Sequence, residues 1–140
     1  MPELPIEIVS DRSKIEEWFH TNKDRITSLC QDRVQGSWAV RQQEHVDYIV
    51  SVYTEKPKKA VAFALVSTDA YKEAHYIMLV CADNTYPGEG SRVIKAIENI
   101  ALEEGKDGVY LAALPHVIPF YRRKNYKNRP NCATAEDEKV

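Results

Sequence analysis

The sequence predicts a mixed α/β (α+β) domain, a mostly antiparallel sheet flanked by helices, and three observations carry that expectation. Residues 48–53 and 60–67 are rich in β-branched and aromatic side chains and are separated by a charged, proline-containing turn, which reads as an antiparallel hairpin. A glycine-containing loop then leads from an apolar strand straight into the best-patterned helix of the chain, and a further apolar strand follows that helix. A meander feeding one β-α-β unit gives a mixed sheet.

Taken in order, residues 5–9 read as a short first strand. Ser13 with Glu16 three residues later forms a capping box, and Ile15, Trp18, Phe19, Ile26, Leu29 and Cys30 recur at roughly helical spacing. One broken helix or two consecutive helices over residues 13–34 follow from this, ended by a polar stretch at Gln35, Gly36 and Ser37. The period changes from Trp38 onward, into the hairpin. A third strand covers residues 75–81. After the loop, Val93, Ile94, Ile97, Ile100 and Ala101 share one face of a helix that Gly105 ends. Residues 108–114 are nearly all apolar and predict a strand buried on both faces. Leu114-Pro115 breaks it, and a short helix starts near Pro119.

The 140 residues suit one domain with one good core, and no linker or repeat divides them. The expected organisation is an N-terminal strand and helices over 1–37, a sheet core over 38–127 and a short polar tail over 128–140. A formal net charge of -2 gives no general field to hold nucleic acid or an anionic membrane. No apolar run approaches the roughly 20 residues of a membrane span, and the start has no signal-like character, so the expected location is the cytoplasm. Cys30, Cys81 and Cys132 are odd in number and far apart, which favours reduced thiols packed in the core over a disulfide framework or a zinc site. The four histidines form no metal spacing, so no metal is expected.

The chemistry gathers in residues 76–94. Gly88 and Gly90 let the backbone bend and let a ligand come close. At a helix start several N–H groups have no internal partner and the macrodipole adds positive charge, so the place binds phosphate. The expected donors are the N–H groups of Tyr86, Gly88, Glu89, Gly90 and Ser91; Pro87 has none. The loop lacks the GxxxxGK[ST] pattern and a third glycine at dinucleotide spacing, which argues against a P-loop and a Rossmann unit.

Residues 80–90, the helix after them, and LAALPHVIPFYRRKNY at 111–126 resemble the GNAT superfamily of N-acetyltransferases. In that family an apolar strand is followed by Arg/Gln-x-x-Gly-x-Gly/Ala, and later by an aromatic or Leu-Tyr pair before Gly-Phe. Here Thr85-Tyr86-Pro87-Gly88-Glu89-Gly90 stands at the first place, Phe120-Tyr121 at the second, and Asn125-Tyr126 where Gly-Phe belongs. The resemblance implies acetyl-CoA as co-substrate. It implies that the backbone of Leu79, Val80 and Cys81 pairs with the pantetheine arm, and that Tyr121 protonates the leaving thiolate. Thr85 replaces the usual Arg or Gln and Pro87 removes a donor; Arg92 and Lys95 are the compensating charges, with Arg122, Arg123 and Lys124 as candidates for the 3′-phosphate.

The acceptor implied is a small-molecule or peptide amine, with no nucleic acid and no membrane as partner. Its base is not named clearly: Glu73 and His75 lie near the start of the strand, and His75 titrates in the useful range. Glu16, Glu17, Asp24 and Asp32 form an acidic entrance for a cationic acceptor or a plain solvated face. Only 14 residues follow Tyr126, so a final family strand is either stunted or completed by a second copy in a homodimer. A CoA-binding module without turnover and a ligand-free interaction domain stay open as alternatives to the enzyme.

Overall fold

The computed structural model describes residues 3–30, 38–111, 118–124 and 126. Readings at Asp32, residues 35–37, residues 112–117, Asn125, Cys132 and the tail lie outside them.

Strand β1 (Ile6–Val9) leads into helices α1 (Arg12–Thr21) and α2 (Lys23–Cys30). The cap of α1 differs from the capping-box expectation. Asp11, not Ser13, is the N-cap residue, and its carboxylate accepts from the Ser13 N–H at 2.9 Å and the Ser13 hydroxyl at 2.7 Å. The helix starts one residue before Ser13, at Arg12, so Ser13 lies inside the first turn and its hydroxyl donates to the cap. Residues 38–41 are helical rather than extended, followed by a 3-10 turn at Gln43–His45.

Strands β2 (Tyr48–Glu55), β3 (Lys58–Ser67) and β4 (Ala74–Ala82) form the antiparallel meander. Helix α3 (Glu89–Glu103), strand β5 (Gly108–Leu111) and helix α4 (Ile118–Arg123) complete the described chain. The sheet order is β1-β2-β3-β4-β5, antiparallel except for the parallel β4/β5 pair.

Side-chain alternation splits the core into two layers. Val50, Val52, Ala64 and Val66 meet Val93, Ile94 and Ile97 of α3 on one side, whereas Ile49, Phe63, Leu65 and Cys81 meet Ile15, Trp18, Phe19 and Ile26 of α1 and α2 on the other. Full burial of each large aliphatic side chain here contributes about 1.5–3 kcal/mol, so α3 is held chiefly by its apolar stripe. The strand at Gly108 is less buried than its composition predicts. Three of its four described residues keep partial exposure, because β5 lies at the sheet edge and pairs only with β4.

The cysteines depart from the reduced-thiol expectation. Cys30 and Cys81 are joined in a disulfide across 51 residues of chain. Separation along the sequence says nothing about distance in the fold, and α2 packs directly on β4, bringing its last residue over Cys81. No described helix is long and apolar enough to cross a membrane.

Candidate functional site

Strand β4 leads to the site along β3, with which it pairs from Tyr76 to Ala82; among the described residues β5 joins it from Ala74 to Ile77, with Leu111 opposite Ile77. Leu79, Val80 and Cys81 thus lie in a stretch with no described neighbour on the β5 side. A register shift in the β3/β4 ladder falls between Leu65 and Val66, so that Leu65 faces Leu79 and Val66 faces Ile77. Met78 is left without a register partner on β3, a bulge that bends the strand on its way to the loop. The sequence carries no turn residue or glycine at Met78 that would have signalled it.

The loop after β4 is built on Asp83. Its carboxylate accepts from the Thr85 N–H at 2.9 Å and the Thr85 hydroxyl at 2.7 Å, and pairs with Arg25 of α2 at 3.1 Å. Those two hydrogen bonds from Thr85, with the Arg25 charge, hold the carboxyl below its ordinary range. Arg25 also donates to the Ala60 carbonyl at 2.7 Å. Thr85 therefore shapes the loop from within, with both its donors committed to Asp83. Neither Asp83 nor Arg25 belongs to any motif, so nothing in their neighbourhood along the chain signals the pair.

At the helix start, Gly88 caps α3 in the left-handed region at φ 87°, where L side chains are strained. A Cβ on Gly90 would sit 3.3 Å from the Ala82 Cβ, so this glycine lets α3 close down on the strand end. Of the five expected donors, Tyr86 N–H is bonded to Asp83 at 3.0 Å and Glu89 N–H to Tyr86 at 3.4 Å. The N–H groups of Gly88, Gly90 and Ser91 have no hydrogen-bond partner among the described residues. These three amides are bunched on one turn at the positive end of a 15-residue helix, an arrangement that favours an anion.

Two of the expected side-chain charges have partners within the chain. Arg92 bonds the Glu89 carboxylate at 2.6 Å and the Leu4 carbonyl at 3.0 Å, with Glu3 at 3.5 Å, so it ties the segment before β1 to α3. The Lys124 ammonium stacks 4.9 Å from the Phe120 ring centre.

Tyr121 is buried on the α3 side of the sheet, edge-to-face with Phe120 at 5.0 Å and Tyr126 at 5.6 Å. Burial pushes its phenol up to about 12. The Tyr126 hydroxyl donates to Glu98 at 2.8 Å, which fixes the aromatic cluster against α3.

His75 corrects the reading of it as an accessible base. It is 0% exposed, its Nδ1 lies 2.8 Å from the Tyr48 hydroxyl, and the Glu104 carboxylate lies 2.7 Å from Nε2. That carboxylate is within ion-pair distance but off the N–H direction of a good hydrogen bond. Alternation along β4 sends this side chain into the core with Ile77, where it links β2, β4 and the end of α3 instead of meeting a diffusing amine. Glu73 stays partly exposed just before β4, its carbonyl accepting from the Asp107 N–H at 2.8 Å. Among the described residues no three His, Cys, Asp or Glu side chains gather as a metal site needs.

No protein-family model matches the chain, and no curated protein matches it. Solved structures do resemble it. A candidate GNAT-family acetyltransferase from Desulfovibrio desulfuricans superposes with a TM-score of 0.71 at 10% identity, covering 98% of this chain and 95% of its own. A candidate N-acetyltransferase from Lactobacillus plantarum gives 0.63 at 15% identity over 99% and 94%. The PaiA N-acetyltransferase of Thermoplasma acidophilum, in complex with coenzyme A, gives 0.63 at 11% identity over 97% of each chain. With an antiparallel meander, a parallel β4/β5 pair and a glycine-containing strand-to-helix junction, this chain has the fold of the GNAT acetyltransferases.

Proposed function

We propose that the chain is an acetyl-CoA-dependent N-acetyltransferase that passes the acetyl group to a primary amine by direct attack. The observation that carries the reading is the trio of amides at Gly88, Gly90 and Ser91 without a partner among the described residues, set just after a strand whose residues 79–81 have no described neighbour on the β5 side. The amides suit the diphosphate of CoA, and the backbone of Leu79, Val80 and Cys81 suits the amides of the pantetheine arm, added as though it were a strand. The coenzyme A complex of the Thermoplasma enzyme supports the same ligand.

In the reaction the neutral amine attacks the thioester carbonyl, the carbon–sulfur bond breaks, and the proton lost by nitrogen ends on the CoA sulfur. Tyr121 is the donor to that sulfur. With its phenol at about 12 it stays protonated at neutral pH, and a thiol near 8.5 does not strip it. Its part is a hydrogen bond that stabilises the departing thiolate, not a net loss of its proton. His75, enclosed by Tyr48 and Glu104, is left out of the proton path.

Acetyl-CoA should raise the melting temperature of the protein, and an amine panel should release free CoA. Tyr121→Phe should lower kcat by about 10–100-fold, as expected for removal of one hydrogen bond made chiefly in the transition state, with acetyl-CoA binding close to that of the unaltered protein. A thermal shift without CoA release from any amine would make the chain a CoA-binding module, and no thermal shift would remove the reading altogether.

A further inference from the structure

Two ties hold α2 to the end of β4, and both fall where the strand becomes the loop. The Cys30–Cys81 disulfide joins the last residue of α2 to the strand. Two residues on, Asp83 takes the Arg25 guanidinium at 3.1 Å, while the same arginine donates to the Ala60 carbonyl of β3 at 2.7 Å. The Asp83 N–H bonds the Val61 carbonyl at 2.8 Å, so the strand end is fixed both to β3 and to α2. Beyond Asp83 the order is handed on by short local bonds. The Thr85 N–H and hydroxyl both end on the Asp83 carboxylate, and the Tyr86 N–H on the Asp83 carbonyl at 3.0 Å. Gly88, the N-cap of α3, follows two residues later. A continuous run of contacts thus joins α2 to the turn that carries the amides of Gly88, Gly90 and Ser91.

The disulfide is the tie that redox chemistry can undo. Cys81 is buried, whereas Cys30 keeps partial exposure, so a dithiol reductant attacks the Cys30 sulfur as its thiolate. The sulfur–sulfur bond breaks, and its electron pair leaves on the Cys81 sulfur, which takes up a proton. The reductant's second thiolate then displaces the Cys30 sulfur from the mixed disulfide, and that sulfur is protonated in turn. Two electrons and two protons pass to the protein, and the reductant ends as its own disulfide. With the covalent tie gone, packing and Arg25 alone seat the last turn of α2. The loop then gains conformations that binding must freeze again.

Resting on the acetyltransferase reading above, we infer that the Cys30–Cys81 bond is a redox switch for the coenzyme A site. The oxidised form holds the loop between β4 and α3 ready for the diphosphate, and reduction by a dithiol lowers the affinity without unfolding the chain.

The test uses desulfo-coenzyme A, which keeps the diphosphate and the pantetheine amides but has no thiol to exchange. It is titrated calorimetrically into the oxidised protein and into protein held reduced by dithiothreitol. The dissociation constant should be roughly five- to tenfold higher in the reduced form, within the ordinary range of coupling between two sites. Linkage makes the effect reciprocal. Saturating desulfo-coenzyme A should raise, by the same factor, the ratio of reduced to oxidised dithiothreitol that opens half of the disulfide, read by thiol alkylation and mass. Hydrogen exchange at the Thr85 and Tyr86 amides should quicken on reduction. Arg25→Gln, which cuts the second tie with the disulfide intact, should weaken binding in the same direction. Equal dissociation constants in the two forms, an unmoved dithiothreitol midpoint or unchanged exchange at those amides overturns the inference, and so does an Arg25→Gln protein that binds as tightly as the unaltered one. Loss of helical circular dichroism on reduction overturns it as well, since the bond is then a staple of the whole fold. Each of these results leaves coenzyme A binding standing, provided that the oxidised protein takes up desulfo-coenzyme A. No binding by the oxidised protein is the separate failure of the reading on which the switch rests.

Discussion

Asp83 shows how one side chain can order the loop that leads from β4 into α3. It binds the Thr85 N–H and hydroxyl and draws Arg25 of α2 to the same point. Because these contacts favour the charged form, the folded carboxyl titrates below its ordinary value of 3.8. The stabilisation is therefore present above pH 3.8 and is lost as the pH falls through the lowered folded value. Asp83→Asn keeps an oxygen for the Thr85 N–H and loses the charge. The difference in urea midpoint between the two proteins should be largest near neutral pH and shrink to nothing in strong acid; a difference independent of pH would count against the charge as its source. The residue scale is also where the sequence was least informative. Gly88 and Gly90 announced the helix start because a glycine pair between strand and helix has few other uses. Asp83 and Arg25 stand 58 residues apart and fit any loop and any exposed helix equally well. His75 misled for a related reason: its chemistry is visible in one letter, and its burial depends on which way β4 faces.

At the scale of elements, periodicity did most of the work. The hairpin, β4 and α3 emerge within a residue or two of their expected limits, since each carries an apolar pattern that only one backbone period satisfies. The bulge at Met78 was invisible, because it is a property of two strands in register and not of either alone. The tie between α2 and β4 was equally hidden. In the chain-entropy description, closing a loop of 51 residues stabilises the fold by about 4 kcal/mol. Cys30→Ser with Cys81→Ser, or the unaltered protein in excess dithiothreitol, should lose stability of that order in equilibrium urea unfolding. An unchanged midpoint in both would show that the packing of Ile26 and Leu29 alone seats α2.

For the molecule as a whole, tyrosine burial sets an upper limit in pH. Tyr48, Tyr76, Tyr121 and Tyr126 all titrate above the ordinary phenol value of 10, first because burial disfavours the phenolate. Groups raised in this way contribute stability that is complete below pH 10 and is lost as the pH climbs through the folded values. Tyr121 alone, raised to about 12, accounts for about 3 kcal/mol. Unfolding should begin above pH 10, with phenolate absorbance and loss of helical circular dichroism rising together; phenolate appearing well before the fold gives way would mean that these rings are open to hydroxide in the native state.

Because the Cys30–Cys81 bond lies outside both ends of the β2–β3 hairpin, it makes that part of the polypeptide a covalent ring. A protease that nicks the turn around Lys56 would open the ring without releasing a piece. The cut protein would keep its mass apart from one added water, migrate as a single band until a reductant is added, and then separate into two.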